Sequence, residues 1–105
     1  MSWWQKALVG LGVLASVGCG NALYAARITQ ASDELARAEQ LDAAARAPYE
    51  YNYALEHLRK ARTEALEADY SAAISLAEVA YDYASRAVQQ AQRVAPNVLA
   101  PKEAP

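Results

Sequence analysis

His57 is the one histidine of the chain, and its near neighbours are Glu56 and Arg59. General acid–base work needs a second group matched to the first, and a metal site needs several convergent ligands. His57 brings neither, so it reads as a surface or boundary residue of a helix. Glu64 and Glu67 stand three apart, and Asp33 and Glu34 have Glu39 nearby. At those spacings carboxylates line solvated helix faces rather than form catalytic pairs. No serine sits in a nucleophile elbow, and all four glycines lie at or before Gly20, leaving no loop to cradle a phosphate. Cys19 is the lone thiol, with no partner for an internal disulfide or a metal site. These residues predict no catalytic set, no metal and no cofactor: a protein that is not an enzyme.

The unusual resource is tyrosine, present seven times. Rigid amphipathic rings are favoured at binding surfaces, and they also fill seams between helices. Tyr51, Tyr81 and Tyr83 fall on or beside apolar stripes, where packing explains them. When the helix carrying them is turned so that Leu58 faces the core, Tyr49 and Tyr53 project to the polar side. They are the candidate partner-binding residues, with Glu56 beside them, for a protein partner or a sugar face of the cell wall. The plainer reading is that isolated apolar groups on a surface are ordinary.

The elements that must position these residues are helical. Hydrophobic residues make up 54% of the 105, yet aromatics only 9%, because alanine supplies about a quarter of the chain. Alanine forms helix readily but buries little surface, so such helices pack weakly unless they approach closely. The net charge of -2, with acids and bases interspersed, offers no basic stripe for nucleic acid.

From Ala22 to Ala47, Tyr24, Ile28, Ala31, Leu35 and Ala38 recur at spacings of four and three, which predicts a first helix ending at Ala47-Pro48. Pro48 starts the second, about Tyr49 to Glu67, with Tyr51, Ala54, Leu58, Ala61 and Ala65 on its stripe and Leu55 and Leu66 flanking it. Asp69 or Ser71 caps the third, about Ser71 to Val94, where Ala73, Ala77, Ala80, Ala84, Ala87, Ala91 and Val94 hold a heptad seam. Ile74, Tyr81 and Val88 form one shoulder of that seam and Leu76, Val79 and Tyr83 the other, while Ser75, Glu78, Asp82, Ser85, Arg86 and Gln89 point away. An antiparallel hairpin then sets Ala61 beside Ala77, Leu58 beside Ala80 and Ala54 beside Ala84. The fold class expected is all-α: an up-down-up three-helix bundle, a helical hairpin plus an N-terminal helix, with that first helix as a projecting stalk the alternative. The helical domain covers 22–95, and the prolines at 96, 101 and 105 mark a disordered tail over 96–105.

Ahead of the helices, Met1 to Lys6 carries one cation and two tryptophans, followed by the uncharged run Ala7 to Gly18. That is signal-peptide anatomy over 1–18, with a dozen apolar residues against the roughly 20 a spanning helix needs. The run ends at Val17-Gly18-Cys19 and so resembles bacterial lipoprotein precursors, with Ser16 standing where that class usually has leucine. The resemblance implies cleavage before Cys19 and a lipidated, palmitate-bearing cysteine, with lipid attachment over 19–21. Gly20 rather than aspartate after the cysteine implies, by the same resemblance, the periplasmic face of the outer membrane. The alternatives are an inner-membrane anchor made by an uncleaved helix over Ala7 to Ala26, and ordinary cleavage near Ala22 or Ala26.

A more specific resemblance rests on Ala47-Pro48-Tyr49-Glu50-Tyr51, Ala54, Leu58-Arg59-Lys60-Ala61, Glu64, Asp69-Tyr70, Ala73, Ala77 and Ala80. On these residues the chain resembles the bacterial lipoproteins grouped as domain of unknown function family 4398, alanine-rich helical proteins behind an export signal. No glycine precedes Asp69-Tyr70, where such turns often have one. The resemblance carries no catalytic residue. The function expected is a lipid-anchored periplasmic interaction module that docks on an envelope protein or on peptidoglycan. A purely structural lipoprotein, forming a homo-oligomer through its alanine seam like a short coiled coil, is the alternative.

Overall fold

The computed structural model describes the backbone of residues 3–94 and the side chains of residues 20–94. The expected tail over 96–105 and the side chain of Cys19 lie outside these. Four helices follow one another: α1 Trp3–Gln40, α2 Ala43–Arg46, α3 Pro48–Leu66 and α4 Tyr70–Arg93.

Among the described residues the fold is an all-helical up-down-up bundle of α1, α3 and α4. Gly20 to Gln40 of α1 runs parallel to α4: Tyr24 meets Tyr70 at 5.9 Å, Arg27 pairs with Glu78 at 3.4 Å, and Ala38 shares a buried cluster with Ala87. The antiparallel α3 lies against both. Arg62 donates to Ser32 Oγ at 3.0 Å, while Ala54 and Leu58 share a cluster with Ala31, Leu35, Ala80 and Ala84. Ala54 and Leu58 thus share one core with Ala80 and Ala84, the residues the expected hairpin sets beside them, and the first helix packs in the bundle rather than standing off as a stalk.

Of the fifteen buried hydrophobic side chains among the described residues, twelve are alanine. With a methyl group at most contact points the helix axes come close together, and dispersion between backbones supplies what large side chains would elsewhere. Ala73, Ala77, Ala80, Ala84, Ala87 and Ala91 are at most 1% exposed, whereas Val94 at the end of the seam is half-buried.

The expected boundaries need two substantial corrections. The first helix begins at Trp3 rather than at Ala22. It stops at Gln40, not Ala47, and the chain turns through Asp42 in the left-handed region, φ 59°, into the single turn α2. Aspartate tolerates that conformation better than most residues. The turn carries Ala43 and Ala47 into the buried cluster with Ala38, Ala87, Val88 and Ala91, which a straight continuation of α1 would not do. Burial overrides the helix propensity of the intervening alanines.

The α3–α4 turn is a Schellman closure. Ala68 N–H donates to the Ala65 carbonyl at 3.0 Å and Asp69 N–H to that of Glu64 at 2.9 Å. The Asp69 carboxylate then accepts from Ala72 N–H at 3.1 Å, the cap expected of it. Three outward or flanking assignments change. Leu66, expected beside the stripe, is 89% exposed; Tyr81, expected on a shoulder, is 44% exposed; and Ser85, expected to point away, is half-buried. The shoulders of α4 are covered unevenly: Val88, on the same shoulder as Tyr81, is buried, while Ile74, Leu76, Val79 and Tyr83 are half-buried.

Candidate interaction surface

Pro48 occupies the first turn of α3, where its fixed φ and missing N–H cost nothing. Tyr49, Tyr53 and His57 then succeed one another at steps of four, on one face of the helix. Tyr49 and Tyr53 lie 5.9 Å apart between ring centres, and His57 stacks on Tyr53 at 4.2 Å. From α4, Tyr83 comes within 4.0 Å of the Tyr53 ring and meets Tyr49 nearly edge-on at 6.3 Å. Arg86 lies over the Tyr83 ring at 4.7 Å while its guanidinium also pairs with Asp82 at 2.9 Å. The result is a continuous aromatic surface bridging two helices, with a cation at its edge.

Tyr49 is 65% exposed, as the sequence suggests. Tyr53 is not: it is half-buried between Tyr83 and His57 rather than projecting freely from a polar face. The cause is the seam. Ala54 and Ala84 bring α3 and α4 so close that the ring beside one meets the ring beside the other. Tyr83, His57 and Arg86 are therefore members of the surface that residue-by-residue reading assigned elsewhere. The spacing of 49, 53 and 57, combined with the Ala54–Ala84 register, contains the signal for them.

The polar groups around the rings are fixed. His57 Nδ1 lies 2.9 Å from the Tyr53 carbonyl, which can only accept, so Nδ1 is the donor and Nε2 is the ring nitrogen left for a ligand. Asn52 donates to the Pro48 carbonyl at 2.7 Å, and Glu56 pairs with Arg59 at 2.9 Å. Pro48, Tyr49, Asn52, Tyr53, Glu56 and His57 line an open, mostly apolar depression. Tyr51 takes no part in it: from the opposite flank its hydroxyl donates to Glu39 Oε1 at 2.9 Å. Burial first, and then that carboxylate, raise the Tyr51 pKa above its ordinary 10.0.

Chemically this surface offers π faces, tyrosine hydroxyls and one imidazole nitrogen, a set suited to stacking and hydrogen bonding. Among residues 20–94 no three His, Cys, Asp or Glu side chains converge as a metal site, and no helix is long and apolar enough to cross a membrane. Compared with protein-family models, with curated proteins and with solved structures, the chain matches none.

Proposed function

We propose that this chain is a lipid-anchored helical interaction module of the bacterial envelope. It is tethered through Cys19 to the periplasmic face of the outer membrane and docks on an envelope protein or the cell wall through its aromatic surface. The observation that carries the docking is the assembly of Tyr49, Tyr53, His57 and Tyr83 into one open patch. The anchoring is carried by the uncharged run ending at Gly18-Cys19, and a relationship to family 4398 accords with both. Tyr49 stands 17 residues before Leu66 along α3, about 25 Å at the helical rise, so the patch begins at the end of the bundle opposite the one that Gly20 enters. Self-association through the alanine seam is the weaker reading, because those alanines are already buried within a single chain.

Labelled palmitate fed to expressing cells should enter the wild-type chain and not Cys19→Ser; an unlabelled wild type at full-length mass would replace the lipid with an uncleaved anchor. Tyr49→Ser should leave the melting temperature unchanged and reduce partner recovery from detergent-solubilised envelopes. Tyr53→Ser should lower both, because its ring packs against Tyr83. Unchanged recovery from the Tyr49, Tyr53 double variant disposes of the patch.

A further inference from the structure

The two ends of the bundle differ in what they leave uncovered. At the α3–α4 turn end Gly20 lies beside α4: a Cβ added to it would be in ordinary contact with Tyr70 Cβ, at 3.8 Å. The next turn of α1 brings Tyr24 against the Tyr70 ring at 5.9 Å. The chain therefore enters the bundle beside this turn, directly after the uncharged run Ala7 to Gly18. The same end bears Leu66, 89% exposed in the last turn of α3, and Leu23, 44% exposed one turn past Gly20. Among the described residues the other exposed large hydrophobics are two tyrosines, Tyr49 and Tyr81, whose hydroxyls are at home in water. The two exposed leucines are both at the end the apolar run approaches.

We propose that the α3–α4 turn end is a membrane-interface seat, in which Leu66 and Leu23 enter the edge of the bilayer and Tyr24 and Tyr70 lie at headgroup level. The inference rests on the N-terminal anchoring proposed above. The occupant is lipid rather than protein because of where the chain enters. Leu23 is three residues, about 4.5 Å of helical rise, beyond Gly20, within the 5–10 Å depth to which interfacial helices bury their apolar faces. The membrane that holds the Cys19 anchor therefore lies within reach of Leu23, and Leu66 is exposed at the same end of the bundle. Tyrosine is enriched at such interfaces because its ring is apolar and its tip wet. Exposed Glu67 and Asp69 beside the seat disfavour an anionic leaflet, so a zwitterionic headgroup layer is the surface that fits.

The test uses the protein purified from the membranes of expressing cells, with its N-terminus as the cell leaves it, reconstituted in phosphatidylcholine vesicles containing a diazirine-bearing phosphatidylcholine. Irradiation inserts the carbene into whatever touches lipid, and trypsin separates Thr63–Arg86 from Ala47–Arg59, the peptide that carries Tyr49 and Tyr53. Lipid adducts are expected between Leu66 and Tyr70 and not on Ala47–Arg59. Leu66→Asn, at an exposed site that leaves the fold intact, should reduce them several-fold. A chain that sediments with the vesicles but labels both peptides equally, or only upstream of Gly20, overturns the seat and leaves the anchor standing. A chain left in the supernatant overturns the anchor, and the seat with it.

Discussion

Ala68 sits at the α3–α4 turn with φ 60°, in the left-handed region where the Schellman closure requires it. A Cβ in that region crowds the following carbonyl at a cost of about 1–2 kcal/mol, which glycine avoids. Ala68→Gly releases that strain while enlarging the conformational freedom of the unfolded chain, an opposing term of about 0.4–1 kcal/mol. The hydrogen bonds of the closure and the Asp69 cap use backbone groups and the Asp69 carboxylate, so the substitution leaves all of them in place. Ala68 is exposed, so no packing is lost either. The balance is a gain of about 0.5–1 kcal/mol, or roughly 2–8 °C in melting temperature for a domain of this size. The control is the same chemical change at Ala36, exposed within α1 one turn before its end, where glycine should cost up to about 1 kcal/mol. Circular dichroism melts and urea titrations of the three purified chains read the sign directly. If Ala68→Gly lowers the melting temperature as Ala36→Gly does, Ala68 is not strained and the turn does not close as described.

Two further substitutions probe the packing. Ala80→Leu, at a seam position 1% exposed, should force α4 from its neighbours at a cost of about 1–3 kcal/mol, whereas Ser75→Leu on the exposed face should be nearly silent in the same melts. For Tyr51 the folded-state pKa is raised, so its contribution to stability is complete below pH 10 and is lost as pH rises through the folded value. Because the Tyr51–Glu39 bond is open to solvent, Tyr51→Phe should cost no more than about 0.5 kcal/mol at neutral pH and flatten the alkaline loss of stability, with urea midpoints from pH 7 to 11 as the measurement.

The helices and their seams were legible from residue spacing because a bundle's core is a local property of each helix. The run from Ala73 to Ala91 needs no knowledge of its neighbour to be an apolar stripe, and Pro48 and Asp69 announce helix starts by their own chemistry. Tyr49 was legible as a surface residue for the same reason. What only the tertiary structure decided is where the stripes' edges meet. The break at Asp42 follows from burying Ala43 and Ala47 against α4, a long-range gain that no local signal among alanines records. The exposure of Leu66 and Tyr81 is likewise a tertiary outcome: each stands beside its helix's stripe yet is left uncovered, while Val88 on the same shoulder as Tyr81 is buried. Likewise Tyr53, His57, Tyr83 and Arg86 become one surface only because methyl-sized contacts between Ala54 and Ala84 draw two helices together. Periodicity determined which residues each helix buries; the close approach of the alanine seams determined which residues beside them touch.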